Sequence, residues 1–445
     1  MDNKFLQRYL GFDPKTMNLK TEVIAGITTF LTMSYILAVN PDILSAASMD
    51  KGAVFTATAL SSALATILLA FLAKLPLAQA PGMGINAFFA YTLVQGMGYS
   101  WQTALTVVLI EGIIFVLLTL FNIRDKIVDC IPLNLRYAIS VGIGMFIAFL
   151  GLKNVGIIVH NDATLVALGS FTPAALIGIL GIILSGVLCY WNVKGALFIG
   201  IILTTLIGIP FGITNLPEGF TIISKPQSIS PTFFQFDFAS LWDFDLIVVT
   251  LILVFMDLFN TIGTLVGAAN QAGMVTKEGN IPHMKEALLS DAVGTCIGAV
   301  CGTSTVTTFV ESSAGIAEGG RSGVTSLVTG LLFVLALFFS PLFLIIPSAA
   351  TTGALFLVGV FMMNGLKDIE LNDITEALPA LVTILSMVLT YSIAEGIVLG
   401  MLAYSMMKIC TGRFKDMHPT LYVLTILFIL KYFYDGWIFK EFSRS

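Results

Sequence analysis

Charge is what this sequence has least of. Its 22 Lys and Arg and 27 Asp and Glu make up 11 % of 445 residues, where a soluble globular chain carries about 25 %. With 34 Phe, 40 Gly and a mean hydropathy of +0.94, the scarcity excludes a disordered chain and an ordinary cytosolic enzyme. The net charge of −5 is small and dispersed, so no basic stripe awaits nucleic acid. Cysteine and histidine are also sparse. Cys130, Cys189, Cys296, Cys301 and Cys410 contain no CxxC pair, and His160, His283 and His418 stand in separate polar loops. That argues against a metal site and leaves small buried thiols. A GxxxxGK[ST] loop is missing as well, so ATP hydrolysis is not the energy source. The first twenty residues lack the apolar stretch of a cleavable signal.

What is present is a series of long apolar runs. A bilayer core about 30 Å thick needs roughly 20 apolar residues of helix. Stretches meeting this run at about 22–40, 53–73, 101–121, 134–151, 172–191 and 195–212. They resume at about 245–268, 285–301, 321–346, 350–366, 374–392 and 395–411. Two others are irregular: 76–97 opens with Pro76 and Pro81 and is Gly-rich, and 302–317 is Ser/Thr-rich with Glu311 in its middle. Counting both predicts fourteen segments, seven on each side of a 213–244 loop. With the N-terminus inside, sixteen of the 22 basic residues, Arg124, Lys126 and Lys277 among them, fall on the cytoplasmic side. Lys51, Lys153 and Lys225 fall outside, which is the bias expected of an N-inside protein. The 420–434 stretch is apolar but short, and whether it spans or lies on the membrane stays open.

The two halves share a pattern. IPLNLRYAISVGIGMFIAFLGLKN (131–154) and IPSAATTGALFLVGVFMMNGLKD (346–368) both open with Ile-Pro, are Gly-rich in the middle and close with Gly-Leu-Lys. They are segments five and twelve, and the irregular segments are three and ten. Since seven is odd, the second copy enters the membrane from the opposite side, a transporter plan in which broken helices meet near the midplane. Freed backbone is tolerated there because it lines a cavity.

Ionisable groups inside spans are costly and hence site candidates. Glu311 stands among Thr303, Ser304, Thr305, Thr307, Thr308, Ser312 and Ser313, a setting suited to a polar planar solute. Asp257, Asn260 and Thr264 recur at helical spacing on the eighth segment and read as a lined cavity or a stripe bonding a neighbouring helix. Asp291 reads equally as a proton relay or a structural hydrogen bond. Glu111 has no polar neighbour at helical spacing and reads as structural. Asn86, Phe88 and Phe89 follow a Pro-Gly-Met-Gly turn, and either Phe could stack on a heteroaromatic ring. An ion gradient remains as the energy source, with buried carboxylates as natural proton carriers.

The stretches EVIAGITTFLTMSYILAVNP (22–41), APGMGINAFFAYTLV (80–94) and TTFVESSAGIAEGGRSGVTS (307–326) resemble the AzgA-like purine permeases, a branch of the nucleobase–ascorbate transporters. The resemblance runs over about 17–415. It implies an all-α polytopic fold of fourteen segments in two inverted seven-helix repeats, with short strands in segments three and ten. It further implies a cytoplasmic N-terminus (1–21), a core domain (22–121 and 245–346), a gate domain (122–212 and 347–411), an external loop (213–244) and a C-terminal tail (412–445). The implied activity is proton-coupled import of adenine, guanine or hypoxanthine across the cytoplasmic membrane, with no cofactor, metal or nucleic acid. A homodimer is left open. By this resemblance Glu311 matches a base-contacting carboxylate, Ser312 follows it where relatives have Asn, and Asp291 matches an acidic ninth-helix position. Phe88 or Phe89 matches the stacking aromatic. The chain departs from the pattern at Asn260, where an acid is usual before Thr-x-Gly-Thr. An amide holds a base but carries no proton, which moves proton coupling towards Glu311, Asp257 and Asp291. The substrate-binding set is then Glu311, Asn260, Phe88, Phe89, Asn86, Thr264 and Ser312. The rival reading is an anion exchanger or channel on the same fold, against which the acid in the binding segment counts. A membrane-embedded enzyme is disfavoured by the lack of His among the intramembrane polar residues.

Overall fold

The computed structural model describes residues 3–121, 132–217, 219–239, 244–271, 274 and 282–435. Cys130, Arg124, Lys126, Lys277, the first residue of segment five and part of the 213–244 loop lie outside the described residues. Among the described residues the regular structure is helical apart from four short strands, and eight of the helical stretches are long and apolar enough to cross a membrane. They begin with Leu19–Ser45 and end with Ile393–Cys410. It is a multi-pass membrane protein.

Helix α1 (Asn3–Leu10) precedes the first membrane segment. That segment is α2 (Leu19–Met33) followed by α3 (Ile36–Ser45), with the break at Ser34 and Tyr35. Asn18 caps α2 by accepting from the Lys20 N–H at 2.9 Å. Next come α4 (Lys51–Leu72), then β1 (Gln79–Pro81), α5 (Met83–Ala87) and a π-helical stretch Phe88–Gly96. Proline at 76 and 81 biases the residues before it to extended backbone, so segment three starts as a strand and becomes helical only past Gly82. The first half closes with α6 (Trp101–Leu120), α7 (Leu133–Asn154), the hairpin β2–β3 (Ile158–Asn161, Leu165–Leu168), α8 (Pro173–Tyr190) and α9 (Ala196–Gly208).

The second half runs α10 (Phe244–Gln271), α11 (Met284–Cys301), β4 (Val306–Thr308), α12 (Ser312–Ala317), α13 (Gly323–Ala336) and α14 (Ser340–Leu344). It continues with α15 (Ser348–Met362), α16 (Ile374–Leu389), α17 (Ile393–Cys410) and α18 (Pro419–Asp435). The last helix packs Leu421, Leu424 and Phe428 into the main core, and the Ser405 and Thr425 hydroxyls bond at 2.6 Å.

The two irregular segments meet. β1 and β4 pair antiparallel, Gln79 opposite Thr308, Ala80 opposite Thr307 and Pro81 opposite Val306, all buried. The pairing extends through Gly82 N–H to Thr305 C=O at 3.0 Å and Phe309 N–H to Ala78 C=O at 2.9 Å. Two strands supply each other with the hydrogen bonds that a broken helix loses, which is how non-helical backbone survives at depth.

Around this crossing the helices form two packed groups. One contains α2, α4, α6, α11 and α13, and the other α7, α8, α9, α15, α16 and α17. In the second group α7 and α15, the two segments alike in sequence, cross backbone to backbone. A Cβ on Gly144 would stand 2.8 Å from the Gly359 carbonyl oxygen, and one on Gly359 would stand 2.5 Å from that of Gly144. Only glycine permits so close an approach.

Candidate functional site

Between the strand crossing and the α7–α15 pair lies a cavity of about 530 Å³, within the range of small-molecule sites. Tyr35, Met83, Ile85, Met256, Asn260, Thr307 and Glu311 line it from the crossing side. Ser140, Ile143, Phe361 and Asn364 line it from the other.

Glu311 immediately precedes α12, whose start is set by the end of the strand. Its Oε1 accepts from the Tyr35 hydroxyl at 2.6 Å, so the breaks in segments one and ten are joined at the cavity wall. A carboxylate removed from water is costly unless hydrogen-bonded, and the phenol supplies one such bond. Asn260 is exposed to the cavity and its Nδ2 donates to Thr307 Oγ1 at 3.4 Å.

Behind the crossing lies a buried hydroxyl–carboxylate network. Thr261 Oγ1 donates to Asp291 Oδ2 at 2.7 Å and lies 2.8 Å from Thr307 Oγ1. Asp291 Oδ1 also accepts from Thr308 Oγ1 at 2.9 Å and Gln79 Nε2 at 3.2 Å. Gln79 Oε1 accepts from Ser290 at 3.2 Å. Asp291 therefore pins both strands and connects to Asn260 through Thr261 and Thr307. Glu111 accepts from Thr305 at 2.6 Å and holds the entry to β4.

Several residues expected to touch a solute are placed elsewhere. Phe88 and Phe89 are 0 % and 1 % exposed, packed in the core and off the cavity wall. The strand ends at Pro81 and helix begins at Met83, so Met83 and Ile85 reach the cavity while residue 88, five positions past Met83, turns into the core. The aromatic rings at the wall are those of Tyr35, Phe309 and Phe361. Asn86 is buried between the broken segments. It donates to Pro81 C=O at 3.4 Å and accepts from the Ser304 hydroxyl. Ser312 Oγ accepts from the Ala78 N–H at 3.0 Å, and the neighbouring Ser313 is the one that lines the cavity. Asp257 and Thr264 are buried on α10 and off the wall. At about 100° per residue, Asp257 and Thr264 lie some 20° apart and Asn260 about 60° from Asp257, so the stripe splits and only the amide faces the cavity. The Thr261 hydroxyl also lies 3.5 Å from Asp257 Oδ1.

Sequence reasoning missed Tyr35, Gln79 and Thr261. A polar residue between two prolines, such as Gln79, carried a signal. So did the Met-Ser-Tyr interruption of the first apolar run. Thr261 carried none beyond its place beside Asn260.

A broken-helix crossing with an acid facing a cavity, set between two packed helix groups, is the architecture of a membrane permease. The same fold is present in the transmembrane domain of a cyanobacterium bicarbonate transporter, BicA, with a TM-score of 0.65 at 15 % identity over 86 % of this chain and 98 % of that one. The chain belongs to the Xan_ur_permease family (Permease family), whose pattern matches residues 20–399. It is 49 % identical over 432 residues to a putative permease of Methanocaldococcus jannaschii, covering 97 % of this chain and 99 % of that one. The adenine permease AdeP of Escherichia coli is 42 % identical, covering 96 % and 95 %. The guanine/hypoxanthine permease PbuG of Bacillus subtilis is 44 % identical, covering 96 % and 100 %.

Proposed function

We propose that this protein is a proton-coupled importer of purine nucleobases (adenine, guanine or hypoxanthine) that works by alternating access in the cytoplasmic membrane. The carrying observation is Glu311, bonded to Tyr35 and facing a cavity shared with Asn260. A purine presents N–H donors and ring-nitrogen acceptors along its edge. A carboxylate accepts the former, and the Asn260 amide offers both a donor and an acceptor. Phe309, Phe361 and Met83 supply apolar flanks for the ring. The adenine and guanine/hypoxanthine permeases among its relatives support the substrate class.

In this reading a proton neutralises Glu311, and the neutral loaded site crosses where a bare carboxylate would be costly. Thr261 and Thr307 link the site to Asp291, which serves as the second proton-bearing group, with Asp257 beside it. Fourteen crossings with the N-terminus inside place Ser140 and Asn364 towards the cytoplasm, so the cavity is open inward. Segments one to four and eight to eleven then move as a core against the gate of segments five to seven and twelve to fourteen. An anion would meet the Glu311 carboxylate, which counts against the rival exchanger.

The test is uptake of labelled adenine and hypoxanthine in cells lacking their own purine permeases. Uptake should collapse with a protonophore and resist excess sulfate or bicarbonate. Glu311→Gln should lower it about 10- to 100-fold at unchanged membrane abundance, the scale of a lost charged hydrogen bond. Wild-type uptake by that variant overturns the site.

A further inference from the structure

A second cavity, of about 280 Å³, stands between segment three, α10 and the start of α17, the first two of which also line the central one. It is lined by Thr92, Gly96, Ile252, Tyr391, Ser392 and Glu395, with other residues of those stretches. Two elements, α10 and segment three, line both cavities in one order, and α7 lines the central one and then reaches Tyr391. On α10, Ile252 lines the second cavity, while Met256, one turn on, and then Asn260 line the central one. On segment three, Met83 and Ile85 line the central cavity and Thr92 the second. On α7, Ser140 and Ile143 line the central cavity, while Phe146 and Lys153 beyond them reach Tyr391. The two spaces are therefore successive levels of one cleft, and the second lies on the side away from Ser140 and Asn364.

Aromatic rings cluster at the second cavity, where Tyr391 is part of the wall. Tyr391 meets Tyr91 edge-on at 5.8 Å and Phe146 at 5.4 Å between ring centroids. Lys153 Nζ lies 4.4 Å from the Tyr391 ring centroid and donates to its hydroxyl at 2.9 Å. Tyr391 holds φ +55° in the turn joining α16 to α17, a left-handed conformation costly for a residue with a Cβ. Tyr91 belongs to the segment-three side of the cleft and Phe146 to α7 on the other, so one ring bridges both walls.

The second cavity has polar groups suited to the same solute. The Thr92 hydroxyl is buried, with the residue 3 % exposed, and has no hydrogen-bond partner among the described residues. Glu395 at the start of α17 contributes a carboxylate to the wall. Around 300 Å³ is the lower end of small-ligand sites, which suits one flat bicyclic base and excludes a nucleotide.

We propose that this cavity is an outer binding site for the purine base, occupied before the Tyr391 ring moves and admits the base to the central cavity. The proposal rests on the purine-transport reading and adds a second site to it. Its test uses the full-length protein with all five cysteines replaced and Thr390→Cys as a reporter at the cavity lip, labelled from outside with a membrane-impermeant maleimide. Adenine at four times its dissociation constant should slow labelling about fivefold, and should do so equally in a Glu311→Gln background, where the central site is disabled. Thr92→Val should raise the adenine concentration needed for protection, by about three- to tenfold for one neutral hydrogen bond. Ala394→Cys serves as reporter should Thr390→Cys not reach the membrane. Protection that disappears with Glu311→Gln, or is absent while uptake proceeds, overturns the outer site and leaves purine transport standing. Absence of both protection and uptake overturns the transport reading itself.

Discussion

The Tyr35 hydroxyl donates a 2.6 Å hydrogen bond to Glu311 across the two broken segments that contribute them. Tyr35 stands at the start of the second helix of segment one and Glu311 at the start of the helix of segment ten. The bond fixes the carboxylate at the cavity wall.

Tyr35→Phe keeps the ring and removes the donor. Uptake at sub-saturating purine should fall about tenfold, within the range for a hydrogen bond to a charged group. Kinetics of labelled adenine uptake would check it; parameters equal to wild type would mean that Glu311 is positioned by its backbone alone.

Thr261→Val tests the route between Asp291 and the cavity. It preserves shape but removes the hydroxyl that touches Asp291 and Thr307. Uptake down a purine gradient should persist while accumulation against one is lost and its pH dependence flattens. Thr261→Ser should restore both. Full accumulation by Thr261→Val would disconnect Asp291 from coupling.

Gly359→Val probes the α7–α15 crossing. Its side chain would enter space held by the Gly144 carbonyl at 2.5 Å and the Ala148 methyl at 2.8 Å. Overpacking of this kind costs about 1–3 kcal/mol and should lower the melting temperature in detergent. Gly186→Ala, whose Cβ meets nothing within 4 Å, should leave it unchanged.

Asp373 caps α16 outside the spans. It accepts from the Thr375 N–H at 2.9 Å and from the Arg413 guanidinium. These bonds, the backbone one foremost, hold its carboxyl at about 2 rather than the ordinary 3.8. A carboxyl with a lowered folded value stabilises above its unfolded value and ceases to as pH falls through the folded one. Asp373→Asn should therefore differ from wild type in hydrogen exchange at the start of α16 at neutral pH. The difference should fade between about pH 4 and pH 2; a constant difference would remove the charge from the account.

Particular residues mark how far the sequence could be read. Pro76, Pro81 and the Ser/Thr run around Glu311 announced two broken segments, because proline and hydroxyl side chains interfere with helix hydrogen bonding locally. The Ile-Pro to Gly-Leu-Lys echo likewise marked α7 and α15 as counterparts. Gly144 and Gly359, both 13 positions after the Ile that opens each echo, are the glycines that touch. The orientation of Phe88 and Phe89 was not legible, since it depends on the residue at which strand gives way to helix. Nor was the partnership of Tyr35 with Glu311, 276 positions apart in sequence.

Composition and local periodicity by themselves determined that this chain lives in lipid, that two of its segments cannot stay helical, and that an acid sits in one of them. Those properties depend on neighbours along the chain, which a sequence displays directly. Only the tertiary structure decided which polar groups face the cavity and which are spent holding the strands together. That choice follows from the pairing of β1 with β4, in which residues from distant positions either satisfy one another or remain available to a solute.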